Sequence, residues 1–354
     1  MSLLLKPSVN WLLVFVPLSV VADLVIHQPV LIFATSALAI VPLAGLIGTS
    51  TEQLAIRVGP GIGGLLNATL GNLTELIVGI LLVNAGQFAI VKATLIGSIV
   101  GNLLLVLGLS FFLGGVRFKQ QTFNQHSANV HSASLVVAVG GLLIPALLTA
   151  TSPISATGRE IVSSVVAVVL IGLYLATLVF TRLTHAHIFH VPGGDEVAVW
   201  STRRAVAVLA GAALLVGLES EFLVSSLNPA LSQLHVPPMF VGLILIPVIG
   251  NAAEHASAIF FALKDRVDIT IEIAVGSSTQ IAMFVAPSLV FISLLLGRPM
   301  DFVFTGFEVA IVGLASLIFT VTAHDARSNW LEGLQLIGLY LVIGIAACFV
   351  VPLG

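Results

Sequence analysis

Apolar runs of bilayer-crossing length follow one another through this 354-residue chain with little between them, and that succession leaves almost no soluble fold open to it. A membrane-spanning helix needs about 20 predominantly apolar residues. Reading for such runs, with breaks at Pro, Gly and charge clusters, predicts eleven helices near 10–27, 29–57, 61–84, 87–114, 126–150, 157–182, 203–231, 236–263, 267–297, 301–322 and 328–352. Only 8% of residues are charged and 58% are hydrophobic, against about 25% charged in a soluble domain. A water-soluble surface cannot be covered with so few charges, so the expected solvent is lipid. The expected fold is an all-α integral membrane protein.

The few charges orient the helices. With loops assigned alternately to two sides, the N-terminal side collects Lys6, Arg57, Arg117, Lys119, Arg182, Arg203, Arg204, Lys264, Arg266 and Arg327, and the other side only Lys92, Arg159 and Arg298. The positive-inside rule then predicts a cytoplasmic N-terminus and an outside C-terminus, in the cell (inner) membrane if the source is prokaryotic. The run from Trp11 to Ile26 has no small-residue cleavage site after it and reads as a retained first helix. One cysteine, Cys348, allows no internal disulfide. A net charge of −3 points to no nucleic-acid partner.

An internal repeat carries the organisation. GNLTELIVGI at 71–80 matches GNAAEHASAI at 250–259, and IGSIVGNL at 96–103 matches VGSSTQIA at 275–282, both at an offset of 179 residues. The predicted organisation is an N-terminal helix in 1–28, a five-helix repeat in 29–182, a polar linker in 183–202 and a second five-helix repeat in 203–354. An odd number of helices per copy makes the second copy enter the membrane from the opposite side, the inverted repeat of secondary transporters, with the binding site where the copies meet.

The matched segments hold the chemistry. Glu75 and Glu254 are expected near the centres of the third and eighth helices, where an ionised carboxylate costs on the order of 2.5 kcal/mol or more. Asn72 and Asn251 lie three residues earlier, on the same face, with Gly71 and Gly250 beside them to admit a neighbouring backbone and expose a carbonyl. The fourth and ninth helices add Ser98, and Ser277, Ser278 and Gln280, as neutral oxygens. Carboxylates and neutral oxygens suit Ca²⁺, Mg²⁺ or Mn²⁺ rather than Zn²⁺ or Cu²⁺. Two carboxylates balance one divalent ion; without it they cannot both stay ionised cheaply in a poorly hydrated cavity, so the empty site takes up H⁺. Competition between metal and protons for the same oxygens is a sufficient physical basis for antiport.

Other residues carry weaker readings. His255 could relay a proton or bond Glu254, and an interhelical hydrogen bond accounts for it equally well. Thr51-Glu52-Gln53-Leu54 pairs with Ser220-Glu221-Phe222-Leu223, so Glu52 and Glu221 are expected along opposite access paths, or else in local helix pairing. Ser98, Ser277 and Ser278 are as readily packing residues as ligands. The linker, with His185, His187, His190, Asp195 and Glu196, reads as a solvated connection because its histidines have no fixed ligand spacing. A Na⁺/Ca²⁺ exchanger and a cation channel stand as rival classes. No nucleophile elbow, HExxH or phosphate loop supports an enzyme, and no cofactor is expected.

The two repeats, GSSTQIAMFVAP at 276–287 and HDARSNWLEG at 324–333 together resemble the cation/proton exchanger (CAX) family of the calcium/cation antiporter superfamily, from about residue 40 to the C-terminus. The resemblance implies Ca²⁺/H⁺ exchange on eleven helices. It also implies metal coordination at Glu75 and Glu254, with Asn72, Asn251 and the glycine carbonyls around them. The preference for Ca²⁺ over Mn²⁺ comes from the resemblance alone. The linker lacks the strongly acidic run of some members.

Overall fold

The computed structural model describes residues 9–186 and 198–350. Helices run over Val9–Ile26 (α1), Pro29–Val58 (α2), Pro60–Leu70 (α3), Leu73–Asn84 (α4), Phe88–Phe118 (α5), Gln125–Thr151 (α6), Ala156–Thr184 (α7) and Thr202–Leu234 (α8). They continue over Pro238–Gly250 (α9), Ala252–Ala262 (α10), Val267–Leu295 (α11), Gly306–Thr322 (α12) and Trp330–Ala347 (α13). Among the described residues, eight are long and apolar enough to cross a membrane alone (α1, α2, α5, α6, α7, α8, α11 and α13), and α9 with α10 forms a ninth, bent by 64°. The protein is an integral, multi-pass membrane protein.

Local chemistry sets the boundaries. Gly59, at φ +86°, ends α2 in a conformation that a side chain resists, and α3 starts at Pro60, a residue type favoured in the first turn of a helix. Asn124, Ser155 and Ser201 cap α6, α7 and α8 by accepting first-turn amides. Thr305 with Glu308 and Asn329 with Glu332 form reciprocal capping boxes that fix the starts of α12 and α13. The tenth helix therefore begins at Gly306, not near 301.

The continuous third and eighth helices expected from hydropathy are each interrupted. The chain breaks at Gly71 and Asn72 between α3 and α4, and at Asn251 between α9 and α10, with the asparagines at φ −95°, ψ 23° and φ −102°, ψ 7°. Hydropathy cannot register such a break, because Gly and Asn in one turn barely lower a window average. The breaks turn Glu75 and Glu254 into first-turn residues of α4 and α10, not the mid-helix residues the sequence suggested.

α2 and α8 make the most extensive helix pairing, and α1 packs on both. Ser19 of α1 donates to Glu219 of α8 at 2.8 Å in a fully buried setting. The longest buried stretches belong to α5 and α11, which form the centre of the molecule. Both loosen into wider π-type turns at corresponding places, Gly101–Val106 and Ile281–Val285. A short strand pair absent from the sequence reading joins Gln120–Thr122 (β1) to Arg327–Asn329 (β2), antiparallel with Gln121 opposite Ser328. Gln121 also donates to the Ala262 carbonyl and to Asp265, tying the end of α10 into the same knot.

The last residues before α8 lie at the surface and are hydrogen-bonded to the end of α2. Gln53 Oε1 accepts the amides of Val199 and Trp200 at 2.7 and 2.9 Å, and Arg57 Nε donates to the Trp200 carbonyl at 2.6 Å. His187, His190, Asp195 and Glu196 lie outside the described residues; His185 stacks on Phe180.

Candidate cation site

One cavity of about 350 Å³ lies between α2, α3, α4, α10 and α11, lined among others by Glu52, Gly71, Glu75, Gly250, Asn251, Glu254, Ser277 and Gln280. The two helix breaks place it. α4 and α10 each begin at the cavity wall, so each presents a helix N-terminus, with its partial positive charge, beside its own first-turn glutamate. The Glu75 carboxyl faces Glu254 and the Asn251 amide, and Glu254 faces Ser277.

The asparagines connect the halves crosswise. Asn72 is buried and donates to Gln280 Oε1 at 2.5 Å, while Ser277 donates to Asn72 Oδ1 at 3.4 Å. Asn251, equally buried, donates to Ser98 at 3.4 Å and to the Pro247 carbonyl at 3.2 Å. Two acceptor oxygens, Asn251 Oδ1 and Glu254 Oε2, are buried without a hydrogen-bond donor. An orphaned acceptor is costly in a low-dielectric interior. A hard cation is the partner such oxygens fit.

Several expectations need correction. Ser278 is buried but gives its hydroxyl to the Ala274 carbonyl one turn back, so of these two neighbours it is Ser277 that faces the cavity. His255 turns away from the cavity toward Asn102 Oδ1 at 3.2 Å, which is the interhelical bond and not a link to Glu254. Glu221 is exposed and outside the cavity, whereas Glu52 lines it. Neither Gly71 nor Gly250 admits a neighbouring helix. A Cβ at Gly250 would meet nothing within 4 Å, and one at Gly71 would meet only the Asn67 carbonyl of the preceding turn. Their value is at the break itself and in leaving the cavity wall bare.

The sequence reading assigned no role to Glu272, which also lines the cavity. It accepts from Arg182 at 3.1 Å and meets His131 Nε2 at 2.7 Å, joining α6, α7 and α11. The available signal was three ionisable residues near helix ends, which pairs only once the fold is known.

Family and relatives show a membrane transporter and not an enzyme. The chain matches the sodium/calcium exchanger protein family over residues 28–183 and 204–349, and belongs to it. It is 42% identical to a Ca(2+)/H(+) antiporter of Synechocystis over 96% of each chain. It is 40% identical to the Ca(2+)/H(+) antiporter ChaA of Bacillus subtilis over 93% of this chain and 95% of that one. A vacuolar cation/proton exchanger of rice is also 40% identical, over 97% of this chain and 86% of that one. Among solved structures, native YfkE superposes with a TM-score of 0.85 at 37% identity, covering 97% of this chain and all of that one. A sodium–calcium exchanger, NCX_Mj, shares the fold alone, at a TM-score of 0.55 and 17% identity over 89% of this chain and 96% of that one. The resemblance to the cation/proton exchangers read from the repeats is thereby met.

Proposed function

We propose that this protein exchanges Ca²⁺ for H⁺ by alternating access, at a site shared by Glu75 and Glu254. The observation that carries the reading is that both carboxyls, each in the first turn of a half-helix, line one cavity together with the donorless oxygens of Asn251 and Glu254. Asn72, Ser98, Ser277, Gln280 and the carbonyls of Gly71 and Gly250 supply or orient the neutral oxygens. Ca²⁺ neutralises the carboxylate pair, and protons replace it when it leaves. Mn²⁺, with the same taste for oxygen, is expected to compete for the site.

The proposed topology has eleven crossings, counting α3 with α4 and α9 with α10 as one broken span each and α12 as a full span. α1 stands outside two inverted five-helix units, 29–182 and 203–354, with the N-terminus cytoplasmic. The names of the relatives that are 40–42% identical support protons rather than Na⁺ as the counter-ion. ⁴⁵Ca²⁺ uptake into proteoliposomes under an imposed pH gradient, without Na⁺, tests the reading with Glu75→Gln and Glu254→Gln beside the parent. Each variant is expected to lose exchange; parental rates in both would remove the carboxylates from the mechanism.

A further inference from the structure

The cavity wall carries charge beyond the proposed glutamate pair. Among the described residues that line it are four carboxylates, Glu52, Glu75, Glu254 and Glu272, and a single basic residue, Arg182. A guanidinium stays charged at any pH a protein meets, so a cavity suited to a cation already holds a tethered one in its wall.

Three local features place it. α7 loosens into a wider turn over Phe180–Thr184, with Arg182 in its middle. The arginine stem lies on Gly64 of α3, where a Cβ would come within 2.9 Å of Arg182 Cδ, so the bare glycine leaves room for the arm. The guanidinium donates to Glu272 Oε1 at 3.1 Å, and His131 Nε2 sits 2.7 Å from Oε2. Both oxygens of Glu272 are engaged, whereas Glu254 keeps Oε2 without a donor. Among the described residues the ion pair of Arg182 is with Glu272, not with Glu75 or Glu254. The repeat does not call for this pair, because the residue matching Glu272 at the 179-residue offset is Ala93.

We propose that Arg182 sets the cation affinity of the cavity, as a built-in counter-charge that holds Glu272 out of the ligand set. The inference rests on the exchange reading and deepens it, by naming what keeps the site from binding its ion too tightly to release it. Each unit charge on the wall of a poorly hydrated cavity acts strongly on a divalent ion inside it. Glu272 alone would add to the attraction of Glu75 and Glu254, and Arg182 alone would oppose it. Paired, the two cancel, and the ion is left to the central carboxylates. Arg182 is a positioning residue: it acts on the ion through Glu272 and through its charge, not by contact.

Equilibrium ⁴⁵Ca²⁺ binding to the purified full chain at pH 8 tests the cancellation by its signs. Arg182→Gln is expected to tighten binding about tenfold, Glu272→Gln to weaken it about tenfold, and the double variant to return within about threefold of the parent. Arg182→Lys keeps the charge and should stay near parental. A pair that only braces α6, α7 and α11 would give another pattern: both single variants, and Arg182→Lys with them, would lose affinity together with thermal stability. Weakening in both single variants, no change in either, or a double variant that fails to recover overturns the proposal. Glu75→Gln measured alongside separates the two levels. Parental Ca²⁺ affinity in Glu75→Gln would defeat the exchange reading, while the signs at 182 and 272 decide the role of Arg182.

Discussion

Asn251 and Ser98 meet across the two halves at 3.4 Å, and their counterparts 179 residues away, Ser277 and Asn72, meet at the same distance with donor and acceptor exchanged. Each asparagine is the last residue before a half-helix, and each is tied to the central helix of the other half. The site is therefore clamped by reciprocal contacts, and its geometry depends on both breaks at once.

Removing either clamp should weaken metal binding before it weakens the fold. Asn72→Ala leaves Gln280 Oε1 without its donor, and Asn251→Ala frees Ser98. A lost buried hydrogen bond costs roughly 1–3 kcal/mol. Ca²⁺ affinity measured by equilibrium ⁴⁵Ca²⁺ binding is expected to fall by about 5- to 150-fold in each. Unchanged affinity in both variants would assign the asparagines to folding alone.

Competition fixes the sign of the pH dependence. Protons and Ca²⁺ are proposed to share the oxygens of Glu75 and Glu254, so every proton bound must leave before the metal enters. Apparent Ca²⁺ affinity should fall as pH falls, with a slope approaching two protons per ion at its steepest. The same titration of Glu75→Gln should show a shallower slope. A pH-independent affinity in the parent would contradict the shared site.

The ion pair on the other side of the bundle predicts a stability effect. Lys92 Nζ reaches Asp301 at 2.5 Å and the Val303 carbonyl at 3.0 Å, and Arg159 lies 3.6 Å from Asp301. Both partners are largely shielded, so Asp301→Ala strands Lys92 and should cost about 1–3 kcal/mol. Lys92→Ala/Asp301→Ala should cost less than the sum of the singles, a coupling readable by thermal unfolding in detergent. Additivity would mean that the pair is independent in solution.

A glycine crossing makes the last test. A Cβ on Gly333 of α13 would overlap the Phe112 backbone of α5, and one on Gly115 would overlap Trp330, whereas Gly338 faces open space. Gly333→Val is expected to lower stability by about 1–3 kcal/mol or prevent folding, and Gly338→Val to leave it within experimental error. Equal behaviour of the two variants would show that α5 and α13 do not depend on this approach.

Much of this was legible in the chain because lipid leaves few alternatives: long apolar runs become helices wherever they fall, and α2, α5, α6, α7, α8 and α11 lie close to the expected spans. The repeat offset brought Asn72, Glu75, Asn251 and Glu254 to notice without any structure. The breaks were not legible, since Gly71–Asn72 and Gly250–Asn251 sit within apolar surroundings that a hydropathy window averages over. Orientation within a turn was also hidden: Ser277 and Ser278 are neighbours in sequence, yet one faces the cavity and the other bonds its own helix. For His255 the sequence left two readings open, and the structure shows the interhelical bond, the ring lying about a third of a turn from Glu254 and reaching Asn102. Glu272 stayed unread because its partners, His131 and Arg182, lie 141 and 90 residues away.

The docking of Val199 and Trp200 on Gln53 and Arg57 has a mechanical meaning for the junction between the halves. The start of α8 is fastened to the end of α2 immediately before it enters the bundle, so tension or slack arising upstream of Ala198 is absorbed at that clasp. Insertions in the connecting segment should then leave the registration of these two crossing helices undisturbed, while a change at Gln53 or Arg57 would free the residues before α8 and leave the helix pairing itself standing.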